Sequence, residues 1–291
     1  MKPASFDYHR PADLAEAMGL LAELGEDAKP LAGGQSLVPL MNFRLARPPH
    51  LIDLNGIAEL DYIRLQDDAV VIGSMTRQRS LERSDLIAKR LPFVPSAVGL
   101  IGHQQIRNRG TIGGSLAHAD PAAELACLAL VLDAQIHLAS KSGGRVVEAR
   151  DFFLGPFTTA LRDDELVTEV RIQTPHGRWG GALCEFARRS GDFALVSASV
   201  RLDGMTDGGC ERARLVFGGV GATPVRCPQV EQFLELNGLD DRWLDQAAEA
   251  AAAGLRPTGD IHASAEYRRD LARVLLRRAL AQARRTGGGG Q

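Results

Sequence analysis

Gly110-Thr111-Ile112-Gly113-Gly114-Ser115 runs straight into Leu116-Ala117-His118-Ala119-Asp120-Pro121-Ala122-Ala123-Glu124, and an earlier segment, Ala32-Gly33-Gly34-Gln35-Ser36, repeats the paired glycines. Each pair follows an apolar stretch. Glycine lets a backbone reach φ > 0 and approach a ligand with no Cβ in the way. Successive N–H groups then point into one concavity, which suits an anion such as a diphosphate. Two such segments, the second followed by an acidic helix start, point to a large dinucleotide held along its length.

The bulk properties set outer limits. A chain of 291 residues is long enough to bury a substantial core as one large domain or two. A formal net charge of -2 leaves no basic footprint for nucleic acid. No apolar run approaches the roughly 20 residues needed to span a bilayer, so no stable membrane insertion is expected. The N-terminal Met1-Lys2-Pro3-Ala4-Ser5-Phe6-Asp7 lacks the apolar stretch of a signal peptide, and a cytoplasmic location is the expectation. Cys127, Cys184, Cys210 and Cys227 fall in no CxxC or CxxxxC spacing, so cluster or zinc ligation is not expected and core positions are.

Strands and helices alternate irregularly, which predicts an α+β fold. A short strand is expected around Phe6 to Tyr8. A helix follows, with Pro11 in its first turn, Leu14, Met18, Leu21 and Leu24 on its apolar face, and Gly25 at its stop. Residues 50–54 and 69–73 read as strands, and 86–102 as mostly helical despite Pro92 and Pro95. After the second glycine segment a helix is expected to begin with Asp120 as N-cap and Pro121 at its first position. Lys141-Ser142-Gly143-Gly144 between 135–139 and 145–148 signals a hairpin. Strands are expected at 166–172, 183–187, 195–202 and 213–218, and helices at 241–254 and 265–285, the last with its arginines on a solvated face. Thr174-Pro175-His176-Gly177-Arg178 is the linker candidate. It divides the chain into domains 1–177 and 178–286, with 287–291 as a flexible tail. Gly218-Gly219-Val220-Gly221-Ala222-Thr223 reads as a connection between strands, because Pro224 follows at once and the acidic residue of a dinucleotide fingerprint is missing.

With both glycine segments in place the chain resembles the FAD-binding medium subunit of the molybdenum hydroxylases, the group containing aerobic carbon monoxide dehydrogenase and xanthine dehydrogenase. The segments that carry the resemblance are AGGQSLVPLMNFRLARPPHLIDL (32–54), IRNRGTIGGSLAHADPAAEL (106–125), FARRSGDFALVSASV (186–200), LVFGGVGATPVR (215–226) and SAEYRRDLARVLLRRAL (264–280), in the family's order along nearly the whole chain. The resemblance implies a two-subdomain FAD-binding domain of the vanillyl-alcohol-oxidase (PCMH) class, then a smaller α+β C-terminal domain. It implies that Ala32, Gly33, Gly34, Gln35 and Ser36, with Thr111, Ile112, Gly113, Gly114 and Ser115, wrap the FAD diphosphate through backbone N–H groups. Glu124 matches the acidic position that bonds a cofactor hydroxyl. Ile101 and Phe193 match residues against the isoalloxazine, and Leu166 is a further candidate for that wall. Two positions depart from relatives: Gln35 stands where many have histidine, and Phe193 where carbon monoxide dehydrogenase has tyrosine. His118 and Asp120, at the loop-to-helix junction, read as structural.

The implied role is a redox relay with non-covalent FAD and neither catalytic residues nor a metal site of its own. A large molybdenum-pterin subunit and a small subunit with [2Fe–2S] clusters are the implied partners, in a dimer of heterotrimers that delivers electrons to an external acceptor. The alternatives are a self-sufficient FAD-dependent oxidoreductase on the same fold, which would need its own substrate cavity with an acid or base, and a structural subunit that has lost its cofactor.

Overall fold

The computed structural model describes residues 2–287; of the tail expected at 287–291, residues 288–291 lie outside the described residues. The chain opens with β1 (Asp7–His9), α1 (Leu14–Leu24), β2 (Ala28–Leu31), α2 (Leu37–Asn42) and β3 (His50–Asp53). These strands form a parallel three-stranded sheet in the order β1-β3-β2. Asp13 caps α1 by accepting from the Glu16 N–H, and Gly25 ends the helix at φ +56. Pro11 therefore lies before the cap and outside the first turn. Ala17 and Leu21, the buried face of α1, pack with Ile52, Leu54 and Ile57 in a small core of their own.

The second subdomain contains β4 (Ile63–Gln66), β5 (Ala69–Gly73), α3 (Gln78–Arg83), α4 (Asp85–Arg90), α5 (Val94–Val98), α6 (Gln104–Arg109), α7 (Ile112–His118), α8 (Glu124–Val131), β6 (Gln135–Ser140), β7 (Gly143–Glu148), α9 (Ala149–Phe152), β8 (Phe153–Gly155), β9 (Thr158–Thr159) and β10 (Leu166–Gln173). Its antiparallel sheet has the order β4-β5-β10-β6-β7, and β5 is buried at every residue between its neighbours. The helical run expected from 86 to 102 is broken at 91–93, where Pro92 ends α4 and Pro95 sits in the first turn of α5.

Two expectations around the second glycine segment are corrected. It is itself helical: Thr111 caps α7, its hydroxyl accepting from the Gly114 N–H at 3.1 Å. The helix expected from Asp120 begins only at Glu124. Asp120 instead accepts from the Ala122 N–H at 2.9 Å in a side-chain turn. The Pro121 carbonyl is taken at 3.1 Å by the N–H of Gly219, from the other half of the chain.

The C-terminal domain is an antiparallel sheet of β11 (Gly180–Phe186), β12 (Val196–Asp203), β13 (Arg212–Gly218) and β14 (Val225–Arg226), followed by α10 (Pro228–Asn237), α11 (Asp241–Gly254) and α12 (Ala265–Thr286). Leu275, Leu276, Ala279 and Leu280 of α12 join Ala198, Val200 and Leu215 of the sheet in one core. The solvated basic face expected on α12 is only partly so. Arg268 is buried, donating to the Leu195 and Gly219 carbonyls and to Asp260, while Arg277 and Arg284 pair with Asp241 of α11.

The opposite face of this sheet meets α8, which is buried on every residue and apolar all round apart from Glu124. Leu183 and Val216 enter the larger N-terminal core, and Trp179 meets Phe93 edge-on at 6.2 Å between ring centroids. At the end of α8, Arg201 donates to the Leu132 carbonyl, and Arg214 and Arg226 both pair with Asp133. The domains thus share a largely apolar seam with a charged rim.

Candidate functional site

The two glycine segments lie against each other. A Cβ on Gly33 would run into the Arg109 carbonyl and the Gly110 Cα, so only glycine permits this approach. Gly34 has φ +72. A Cβ on Gly114 would stand 3.2 Å from the Ala32 Cβ and 2.8 Å from the Thr111 hydroxyl. Gly114 is thus required for space rather than for a left-handed backbone.

Their N–H groups differ. Among the described residues, the backbone N–H groups of Gly33, Gly34, Gln35 and Ser36 have no protein acceptor. In the second segment Ile112 donates to the Thr76 carbonyl at 3.1 Å, Gly113 to the Ser74 carbonyl at 2.8 Å, Gly114 to the Thr111 hydroxyl and Ser115 to the Thr111 carbonyl at 3.2 Å. The expectation that both segments present free N–H groups is therefore corrected for Ile112 to Ser115, whereas the Thr111 N–H has no protein acceptor among the described residues. A helix start capped by its own threonine spends those donors internally.

A cleft of about 370 Å³ opens beside the first segment, lined by Leu31, Ala32, Gly33, Gly34, Gln35, Val38, Pro39, Ile106 and Arg109. The Gln35 side chain folds back to donate to the Gly33 carbonyl at 3.0 Å. Behind the cleft runs a polar brace that the sequence did not suggest. Asn55 donates to the Ala32 carbonyl at 2.9 Å, Arg77 donates to Asn55 at 2.6 Å, and Arg77 also donates to the Arg109 carbonyl. Asp53 holds Asn55, and Tyr8 donates to Asp53. Burial, and then the neighbouring Arg109, lower the Arg77 pKa from its ordinary value.

The remaining candidates lie in different surroundings. Ile101 is buried at the end of the apolar run, its carbonyl accepting from Arg107 at 2.9 Å. Phe193 is 64% exposed, on a loop whose Gly191 abuts the His103 ring, two residues beyond Ile101. Those two candidates therefore border neighbouring loops. Leu166, by contrast, is 4% exposed and packed in the small core with Ile52, Leu54 and Met75. Little of its side chain is open to solvent.

Glu124, expected to bond a cofactor hydroxyl, is buried in the seam. Burial pushes its carboxyl up to about 7, against the pull of its own backbone N–H and with Asp120 adding to the rise. The His118 ring meets Phe157 at a tilt, 5.1 Å between centroids, and its pKa is lowered from the ordinary value by burial, partly offset by Asp120. Cys127 and Cys210 are buried, and Cys184 and Cys227 half-buried, all as free thiols. No helix among the described residues is long and apolar enough to cross a membrane.

Comparison with known proteins matches residues 4–175 to the FAD binding domain in molybdopterin dehydrogenase and residues 181–283 to the CO dehydrogenase flavoprotein C-terminal domain. The 6-hydroxypseudooxynicotine dehydrogenase complex subunit alpha of Paenarthrobacter nicotinovorans is 44% identical, over 97% of this chain and 96% of that one. The carbon monoxide dehydrogenase medium chain of Afipia carboxidovorans is 43% identical, over 98% of each. Among solved structures, reconstituted CO dehydrogenase from Oligotropha carboxidovorans contains a chain that superposes with a TM-score of 0.95 at 42% identity, covering 98% of this chain and 100% of that one.

Proposed function

The chain belongs to the FAD-binding medium subunits of the molybdopterin dehydrogenases, and from that premise we propose that it is an electron-transfer subunit. In this reading it takes electrons from [2Fe–2S] clusters of a small partner subunit, downstream of a large molybdenum-pterin subunit, and delivers them to an external acceptor. The three subunits would form a dimer of heterotrimers. FAD, when bound, supplies redox chemistry that runs in steps of one or two electrons.

The residues present fit that cofactor, and the observation that carries the assignment is the row of unpartnered N–H groups at Gly33, Gly34, Gln35 and Ser36. Such a row is an anion receptor, and it would hold the diphosphate non-covalently. Arg109, at the mouth of the same cleft, adds positive charge. Thr111 to Ser115 support the row from behind: the Ala32–Gly114 and Gly33–Gly110 approaches fix where it points. Glu124, its carboxyl raised to about 7 and so protonated in about half the molecules near neutral pH, offers an O–H to donate as well as oxygens to accept with, which suits a cofactor hydroxyl. Ile101 and Phe193 would flank the ring, one excluding water and the other standing at the solvent side.

The test is to purify the chain with its co-expressed partners and then alone. The complex is expected to carry molybdenum, iron and FAD, and acid precipitation of the chain alone should release all its flavin. Flavin retained by the denatured chain would refute non-covalent binding. Reduction of the isolated chain's flavin by a small organic substrate would refute the relay role.

A further inference from the structure

The Ala32 carbonyl and the Gly33 N–H belong to one peptide plane, and among the described residues no peptide is cis, so the two groups point in opposite directions. A donor that holds the carbonyl from behind therefore aims the first N–H of the receptor row. Asn55 is that donor, through its Nδ2 at 2.9 Å. A side-chain amide can present either end, and here its surroundings allow only one. The Arg77 guanidinium has donors alone, and its Nη2 meets the Asn55 Oδ1 at 2.6 Å. Asp53 accepts from Asn55 Nδ2 on the other side. With a cation at one end and a carboxylate at the other, Nδ2 has to face the Ala32 carbonyl. The same geometry recurs one peptide later, where Gln35 Nε2 holds the Gly33 carbonyl at 3.0 Å and so turns the Gly34 N–H the other way. Arg77 reaches the second glycine segment too. It donates to the Arg109 carbonyl, the atom against which Gly33 is packed, and its backbone pairs with Thr111 in an antiparallel bridge.

We propose that Arg77 is a positioning residue for the cofactor diphosphate, acting through Asn55 to aim and polarise the Gly33 N–H. The inference rests on the FAD reading made above. Guanidinium, Asn55 amide and Ala32–Gly33 peptide stand in series, each with its positive end turned toward the place of the anion. Hydrogen bonds in such a chain strengthen one another. Arg109 lines the cleft and can meet an anion directly, whereas Arg77 and Asn55 stand outside that lining and act at one remove. Arg77 is half-buried, yet its donors go to a neutral carbonyl and a neutral amide, and among the described residues it forms no ion pair with a carboxylate. An arginine kept only for stability would be expected to spend its charge on an acid. The charges nearest it are Arg109, Asp61 and Asp53. Asp53 is occupied by the Tyr8 hydroxyl and by both the N–H and Nδ2 of Asn55, so it fixes the amide and leaves the guanidinium unpaired.

Titration of the full chain with FAD, read by flavin fluorescence at low and high salt, tests the series. Arg77→Met keeps the stem and removes the cation with both its bonds. FAD should bind about tenfold or more weakly, and added salt should weaken it less than in the wild type, a change that a purely structural role would not produce. Arg77→Lys restores the charge without the fork that spans Asn55 and Arg109, and should recover part of the loss. Asn55→Leu should cost about as much as Arg77→Met, and the double variant little more than the larger single loss. Single losses that simply add would overturn the action through Asn55. An affinity within about threefold of wild type in both single variants would overturn the proposal and leave the FAD reading intact. If Arg77→Met does not fold by urea unfolding, Asn55→Leu decides by the same limit. A wild type that binds no FAD would overturn the proposed function, and inorganic pyrophosphate, followed at the Gly33 and Gly34 amide resonances, would then judge the positioning by itself. A need for about tenfold more pyrophosphate in Arg77→Met, or in Asn55→Leu if only that variant folds, supports it, whereas equal responses, or none in the wild type, overturn it.

Discussion

The two glycine segments look alike in sequence and do opposite things with their backbone. Gly33 to Ser36 leave a row of N–H groups without protein acceptors, and Gly33 to Gln35 line a cleft. Ile112 to Ser115 bond theirs inward, to the Thr76 and Ser74 carbonyls and to Thr111. In the proposed reading one segment is a receptor and the other a brace, and glycine serves them for different reasons. At Gly33 a side chain would strike the Arg109 carbonyl and separate the two segments, whereas Gly114 sits in a helix where a side chain would crowd Thr111 and Ala32. A paired glycine therefore marks a close approach without saying whether a ligand or the protein itself is approaching.

The largest effect is expected at the receptor. Gly33→Val should push the first segment off Arg109 and misdirect its N–H groups. Losing two charge-assisted bonds at about 1.5–3 kcal/mol each corresponds to about a hundredfold or more in FAD affinity at ~1.4 kcal/mol per decade. Fluorescence titration with FAD reads this directly, and an affinity within about threefold of wild type would break the comparison. Gly114→Val should act more weakly and in two ways. It disturbs the Thr111 cap, worth about 1 kcal/mol of stability, and it shifts Ala32 enough to weaken FAD by about tenfold. A fully folded, equally stable variant that cannot bind FAD would make the second segment a receptor after all.

The difference was only partly legible in the sequence. Residues 69–73 and the 135–148 hairpin could be read because alternation and turn residues are local signals. Thr111 could have been read as a cap, since a threonine three residues before a bonded N–H in a helical run is a known start signal. Asp120 misled because its cap-like side chain serves a turn, and the residue that stops the helix from starting there, Gly219, arrives from about a hundred positions away. Helix α10 was missed although Pro228 in its first turn, with Val230 and Leu234 spaced for one face, carried the signal. Arg77, Asn55 and the burial of Glu124 had no local signal. They depend on how separate elements dock.

Neither glycine segment contains a side chain that titrates near neutral pH, so pH offers a way to sharpen the comparison. Above about pH 7 the effect of His118, whose buried neutral form costs stability only in acid, is already complete. Glu124 and Glu185 have carboxyls raised above their ordinary value, so the folded protein holds more protons than the unfolded chain and stability falls as pH rises toward 8. A loss of about 1.5 kcal/mol between pH 7 and pH 8.5 is expected by urea unfolding, most of it from Glu185. Gly33→Val and Gly114→Val should both show the same loss, and Glu185→Gln much less. A pH response altered by either glycine variant would mean that the loops and the seam are not separate.

Amide hydrogen exchange, residue by residue and with or without FAD, reaches the central contrast most directly. In the cofactor-free protein the N–H groups of Gly33, Gly34, Gln35 and Ser36 are expected to exchange fast and to become protected when FAD binds, while those of Ile112, Gly113, Gly114 and Ser115 are protected throughout. The reverse pattern, with Ile112 to Ser115 open until FAD closes them and Gly33 to Ser36 indifferent to it, would contradict the division into receptor and brace.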